Sequence, residues 1–266
     1  MGRTAKCLTL ASLHLLLGCT CNPPLPPLVR PEADVLLIII GGNSESVDSK
    51  SGHRRGMRKL YFGHDKADES PIVQTLAKTE AGQRRTVAVR YFSWTGDNEF
   101  HPGILPGHAN WILGGNTYIQ KAVPEIGDVP SRYRRLVIAG WSNGGATAYE
   151  LACLLTSTQA DAVSLLITLD PVAWTTRECR SPSGASRRPA TGWINVYTAS
   201  GPSNRLETGN IVAFVGRAWD GHFPRGIAVR AHADELLPNS NHGDTDRMWT
   251  EFVEQSGMLS TWRAIK

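Results

Sequence analysis

Gly140-Trp141-Ser142-Asn143-Gly144 places one serine between two glycines, directly after an apolar run and directly before a stretch of helical character. A serine hydroxyl is a weak nucleophile until a neighbouring base removes its proton. A sharp strand-to-helix turn lifts such a hydroxyl above a sheet edge, and flanking glycines keep Cβ atoms out of the crowded turn. The first N–H groups of the following helix have no carbonyl partner of their own. The Asn143 N–H can therefore donate to an oxyanion formed on a substrate. The bland reading is a tight turn with a serine N-cap and no chemistry. The elements around the pentapeptide decide between the two.

Those elements alternate. Val35–Ile40 is a continuous aliphatic run ending in Gly41-Gly42, which suits a strand buried on both faces. The polar stretch after it reads as loop. Residues 71–79 have helical spacing at Ile72, Leu76 and Ala77, with Ser70 as N-cap. A strand over 86–94, a helix over 110–122 closed by Pro124 and Pro130, and a strand over 135–140 follow. After the serine come a helix over 143–156 and strands over 162–169 and 193–198. A weaker sixth strand covers 226–231. A closing helix over 245–259 carries the stripe Met248, Trp249, Phe252 and Val253. Aliphatic strands alternating with helices predict an α/β fold: a mostly parallel sheet of about six strands with helices on both faces.

The stretch 137–151, in this order of elements, resembles the α/β-hydrolase superfamily of lipases and esterases. The resemblance implies a serine hydrolase cleaving carboxylic esters through an acyl-enzyme, with Ser142 as nucleophile. The first strand here corresponds to the third of the full family fold, so two opening strands are missing and the sheet is compact. Family members carry their triad in the chain order Ser, acid, His, which directs the search downstream.

Asp170 ends the run Leu165 to Leu169, at the sheet edge where open α/β sheets hold ligands, and Pro171 turns the chain away. This placement resembles pancreatic-type lipases; many other members carry the acid one strand later. Here no acid follows residues 193–200 until Glu207. An aspartate before proline is also an ordinary turn residue. Of eight histidines, His14 lies in the leader, and His53, His64, His101 and His108 precede the serine. His242, between the last strand and the closing helix, is the favoured base, with His232 and His222 open as alternatives. The Gly41-Gly42-Asn43 turn resembles the oxyanion loops of lipases without their preceding histidine, so Gly42 or Asn43 would supply the second donor. Trp94, Asp97, Asn98 and Trp141 flank the same edge, and core packing explains the two tryptophans equally well. The segment 173–191, where many members insert a lid, is polar and Arg-rich, which implies an open site acting on small or soluble esters.

The remaining sequence sets the context. The full chain is 41% hydrophobic and 20% charged, and 33–266 reads as one globular domain. The net charge of +4 is scattered; it forms no nucleic-acid footprint. Arg177, Arg180, Arg187 and Arg188 cluster among Ser, Pro and Gly, as a solvated loop does. Arg3 and Lys6 before the short apolar run 8–17 form a secretory signal over 1–18. Leu16-Leu17-Gly18-Cys19 resembles the lipobox of bacterial lipoproteins, which implies acylation of Cys19. Residues 19–32, rich in proline, then form a tether. The expectation is an exported cell-envelope protein that meets the membrane only through this lipid anchor. Cys153 and Cys179 could bridge in an oxidising compartment, which spacing does not decide. No cofactor is expected, and His242, Asp244 and Asp246 lack a recognisable metal-ligand spacing. Two other readings stand beside the esterase: a thioesterase or amidase on the same fold, and a non-catalytic surface lipoprotein. Substrate identity and oligomeric state are not encoded in any motif.

Overall fold

In the computed structural model, which describes residues 33–42, 56–62, 70–78, 82, 84–92, 133–172, 178–198, 229–238 and 240–264, the aliphatic runs pair into one sheet. Its strands are β1 (Val35–Ile40), β2 (Val87–Phe92), β3 (Arg135–Trp141), β4 (Leu165–Leu169), β5 (Gly192–Thr198) and β6 (Ala233–Leu237). They bond in the order β2-β1-β3-β4-β5-β6, and every neighbouring pair is parallel. This is the compact six-stranded α/β arrangement that the sequence predicts.

The chain runs outward from β1 to β2, then returns to β3 on the other side of β1. Parallel crossovers are right-handed, so reversing direction moves the connecting helices to the opposite face. α1 (Met57–Phe62) and α2 (Pro71–Ala77) accordingly pack on one face and α3 (Asn143–Thr158) on the other. The reversal also opens a crevice at the carboxyl ends of β1 and β3, the place where open α/β sheets bind ligands. Ile40 pairs with Gly140, so Gly41 and Gly42 leave β1 beside the turn that leaves β3.

Burial on both faces explains the aliphatic strands. Along β1, Leu36, Ile38 and Ile40 join the core beneath α3, which Tyr149, Leu151 and Leu155 complete. Val35, Leu37 and Ile39 join the opposite core, with Met57, Leu60, Ile72, Leu76, Trp249 and Trp262. All six β1 residues are buried, so a polar side chain anywhere along it would face one core or the other.

Four expectations are corrected. The polar stretch after β1 contains helix α1, driven by the buried pair Met57 and Leu60 three residues apart. The sixth strand is Ala233–Leu237, not 226–231, because Ala233 to Leu237 pair with Ile194 to Thr198 of β5, whereas 229–231 are not in a strand. The fourth strand begins at Leu165, three residues later than expected; Ser164, just before it, bonds Leu136 O through both its N–H and its hydroxyl. The closing helix is not continuous. A short α4 (Thr245–Arg247) runs into a π-helical turn (Met248–Val253), the chain breaks at Glu254 to Ser256, and α5 (Gly257–Ala264) follows. The π turn keeps Met248, Trp249 and Val253 on the core, while Glu254 accepts from Thr75 Oγ1 (2.7 Å) and Trp249 Nε1 (3.2 Å).

α2 matches its signals: Pro71 opens it, and Ser70 Oγ accepts from Val73 N at 3.3 Å. In the Arg-rich segment, 178–191 form a small hairpin with an Arg180–Ser186 bridge, and Arg180 pairs with Glu178 at 2.8 Å. Cys153 and Cys179 are free thiols here, with Thr156 Oγ1 3.9 Å from Cys179 Sγ. The expected helix over 110–122, together with Asn43, Trp94, Asp97, Asn98, His222, Glu207, Cys19 and everything before Ala33, lies outside the described residues. Among the described residues no helix is long and apolar enough to cross a membrane.

Candidate active site

Ser142 stands where β3 ends and α3 begins, with φ 57° and ψ −130°. A positive φ is unfavourable for a residue with a Cβ, and it persists only where neighbours hold it. Here the Ser142 N–H donates to Leu169 O (3.0 Å), and its carbonyl accepts from Gly145 N (2.9 Å) and Val172 N (3.0 Å). The flanking glycines are required by close approach. A Cβ on Gly140 would run into the Gly144 carbonyl, and one on Gly144 into the carbonyl oxygens of Ile40 and Gly41. The first turn of α3 thus seats against the ends of both β1 and β3.

The hydroxyl makes no cap bond to the helix it precedes. It lies instead 2.9 Å from His242 Nε2, and more distantly 3.4 Å from Asn143 Oδ1. A turn serine with no chemistry would be expected to cap; this one points its hydroxyl at an imidazole.

His242 is held on its other nitrogen. Nδ1 lies 2.6 Å from Asp170 Oδ2. An ionised carboxylate only accepts, so Nδ1 carries the proton and Nε2 of the neutral ring is left to accept from serine. Asp170 is itself fully buried, as are Ser142 (2% exposed) and His242 (3%). A buried carboxylate needs its lone pairs filled. Oδ1 accepts from Thr198 N (3.0 Å), and Oδ2 accepts from Thr198 Oγ1 (2.9 Å) as well as from the imidazole. Asp170 also has a positive φ of 40°, with its N–H donating to Val196 O at 2.6 Å. Strained backbone at both Ser142 and Asp170 marks two adjacent strand ends shaped around one point.

The loop carrying His242 has its own frame. Asn241 N donates to Asp244 Oδ2 (2.7 Å), Asp244 N to Asn241 O (3.0 Å), and Ser240 Oγ to Leu237 O (3.0 Å). Asp244 therefore shapes the turn. Among the described residues, no group of three or more His, Cys, Asp or Glu could hold a metal ion.

The alternatives separate by position. His232 lies at the opposite, amino end of the sheet, where its Nδ1 accepts from Trp193 N at 3.1 Å. Burial, and then the nearby Arg188, push its pKa below the usual imidazole value. His232 therefore lies away from Ser142, which ends β3 at the carboxyl edge. Of the oxyanion candidates, Asn143 begins α3, so its N–H has no carbonyl one turn back. Gly42 abuts the serine: a Cβ there would come within 2.7 Å of Ser142 Cβ.

Two contacts at this site were not read from the sequence. Thr198 fills both oxygens of Asp170. Parallel register carried the signal: Leu169 pairs with Val196, which sets Asp170 level with Tyr197, one residue short of Thr198. Trp141, read as pocket lining or core, donates its indole N–H to the His242 carbonyl. No sequence pattern encodes that bond.

The parallel α/β sheet presents Ser142, Asp170 and His242, in that chain order, along its carboxyl edge, which is the arrangement the resemblance to α/β-hydrolases led one to expect. No family model matches the chain. No curated protein matches it either. Among solved structures it is similar to an alpha-beta serine hydrolase homologue from Coxiella burnetii, at 15% identity over 86% of this chain and 85% of that one, with a TM-score of 0.39. It is also similar to Est1E from Butyrivibrio proteoclasticus, at 14% identity over 89% of each chain, with a TM-score of 0.38. A structure reported for two metagenome-derived lipolytic enzymes shares 14% identity over 87% of this chain and 94% of that one, with a TM-score of 0.37. At such low identities and scores, the functional reading rests on the chain's own geometry.

Proposed function

We propose that this protein is a serine hydrolase that cleaves carboxylic esters through an acyl-enzyme, with Ser142, His242 and Asp170 as its triad. The observation that carries the reading is the buried relay: Ser142 Oγ 2.9 Å from His242 Nε2, and Nδ1 2.6 Å from Asp170 Oδ2. As Ser142 Oγ bonds to the ester carbonyl carbon, its proton moves to Nε2 and the carbonyl electrons move onto oxygen. The Asn143 N–H, and a second donor from Gly42 or Asn43, hold that oxyanion. Collapse expels the alkoxide, which takes the proton from Nε2. Water then repeats the sequence: it loses a proton to Nε2, attacks the acyl carbon, and frees the acid and the serine. Asp170 keeps the ring in the tautomer that can accept, and it stabilises the imidazolium between the two proton transfers.

A p-nitrophenyl ester series from acetate to palmitate, with matched thioesters and anilides, tests the substrate class. The reading predicts ester turnover that is abolished by Ser142→Ala and strongest at short or medium chains, as a polar, Arg-rich 173–191 in place of an amphipathic lid favours. Turnover confined to thioesters or anilides would replace the ester assignment while keeping the triad. Absence of any turnover with a correctly folded protein would support a non-catalytic binding module.

For the address, the same proposal places the domain outside the cytoplasm on an acylated Cys19, supported by the basic, apolar and small-residue order before that cysteine. Cys19→Ser should release the protein from membranes; continued membrane retention would exclude the lipid anchor.

A further inference from the structure

We propose that Trp141 is a positioning residue that sets the orientation of His242 over Ser142, beyond its share in the core. The inference rests on the triad reading and extends it to a residue outside the triad.

Three contacts converge on the Trp141 side chain, which is 2% exposed. Its Nε1–H donates to the His242 carbonyl oxygen at 2.8 Å. Its ring stacks against the His242 imidazole, with centroids 5.0 Å apart and planes 30° from parallel. Gly42 approaches the same ring so closely that a Cβ there would fall 2.6 Å from Trp141 Cε3.

Their combination fixes a geometry that neither bond of the triad fixes alone. The Asp170 bond sets the distance of Nδ1 but leaves the ring free to tilt about the Nδ1–Oδ2 line. A flat partner on one face removes that tilt. The loop's own bonds, Asn241 N to Asp244 Oδ2 and Asp244 N to Asn241 O, set its shape. The indole bond sets where that shape sits against β3. Trp141 is the last residue of β3, paired with Leu169, so its backbone is as rigid as the sheet. Residues 141 and 142 of one turn thus grip a single histidine at its carbonyl, its face and its Nε2.

A tryptophan acting only as core filler would be replaceable by another aromatic at some cost in stability and none in turnover. A positioning residue predicts otherwise, because a displacement of about 1 Å at a reacting atom lowers the rate on the order of a hundredfold. Trp141→Phe keeps a ring for the stack and for Gly42 but removes the N–H. The expected result with p-nitrophenyl acetate is a roughly ten- to a hundredfold loss in kcat with KM within about twofold.

The deciding measurement is a double-mutant cycle with His242→Ala. If Trp141 acts through His242, Trp141→Phe lowers kcat in the wild-type background and changes little once the imidazole is gone. Equal losses in both backgrounds, or an unchanged kcat with a lowered Tm, overturn the proposal. Wild-type turnover in His242→Ala alone overturns the triad reading itself, and that failure appears in the single variant before Trp141 enters. Should circular dichroism show that Trp141→Phe does not fold, Trp141→Tyr is taken through the same cycle with the same two outcomes.

Discussion

Asp170→Asn should disable turnover while leaving the fold intact, and the local hydrogen bonds give the size of the loss. The asparagine has two orientations in a fully buried position. In the first, its carbonyl oxygen stays on the Thr198 N–H, which now donates to Oδ1 at 3.0 Å. The amide nitrogen then faces His242 Nδ1 and donates to it, driving the ring proton onto Nε2, where it opposes the Ser142 hydroxyl. That ring cannot accept the serine proton. In the second orientation the carbonyl faces Nδ1 and restores the working tautomer, but the amide nitrogen confronts the Thr198 N–H, donor against donor. Leaving a buried donor unsatisfied costs about 1–3 kcal/mol, so the working orientation is depopulated roughly 5- to 150-fold. The neutral amide also loses the charge-assisted bond to the imidazolium, a further ~1.5 kcal/mol or more, about tenfold. The two effects together predict a fall in kcat of roughly 50- to 1,500-fold, more where the lost charge-assisted bond exceeds ~1.5 kcal/mol; the same acid-to-amide change in another serine hydrolase triad costs about 10⁴. The assay is steady-state hydrolysis of p-nitrophenyl acetate, with circular dichroism and thermal midpoint as fold controls. A folded Asp170→Asn variant within about tenfold of wild type would refute the reasoning.

Other consequences follow from the same contacts. Thr198→Val removes the hydroxyl bond to Oδ2 but keeps the backbone bond to Oδ1, so kcat should fall about tenfold at nearly constant KM; an unchanged kcat would show that the hydroxyl is dispensable. Gly144→Ala drives a methyl into the Ile40 and Gly41 carbonyls, and should lower stability by about 1–3 kcal/mol in urea titration and damage the serine turn; full stability would mean the turn relaxes freely. Asp34 at the foot of β1 accepts from the Thr86 N–H (3.0 Å) and hydroxyl (3.1 Å). The backbone bond first, with the hydroxyl, Arg134 and Arg85 adding smaller shares, holds its carboxyl below the ordinary aspartate value against an opposing desolvation. A carboxylate with a depressed folded pKa stabilises above its unfolded pKa, and that stability is lost as pH falls through the folded value. Asp34→Asn should therefore lower Tm at neutral pH, with the gap closing below about pH 4; a gap that persists in acid would point to some other cause.

How far the sequence revealed this architecture depended on burial. β1 and β3 are covered on both faces, so side-chain choice along them is mostly aliphatic and their bounds could be read nearly to the residue, whereas the buried Ala162 and Val163 blurred the start of β4. β6 is an edge strand, Ala-Asp-Glu-Leu-Leu, partly exposed along most of its length. With one side open, the selection for apolar residues lapses, and the more apolar 226–231 competed with it. α1 was hidden because six residues hold too little of a helical period, and Met57 and Leu60 sit among polar neighbours. In the closing segment the stripe of Met248, Trp249 and Val253 was legible, but the π turn and the break before α5 leave no mark on spacing.

The site divided along the same line. Ser142 and Asp170 were readable because each ends an aliphatic strand at a stop, glycine-rich in one case and proline in the other. His242 was readable from its place between the last strand and the closing helix, though His232 competed with it until pairing with β5 placed that residue at the far end of the sheet. Thr198 and Trp141 act through contacts between strands or to a backbone carbonyl. Register and loop shape decide those contacts, and a one-dimensional pattern holds neither.

The central claim is that Ser142 is an activated nucleophile. Incubation with a fluorophosphonate, followed by proteolysis and mass spectrometry, tests it most directly. One label per chain is expected, located on Ser142, absent in Ser142→Ala and strongly slowed in His242→Ala. A label on any other residue, or no label on a folded protein, would contradict it.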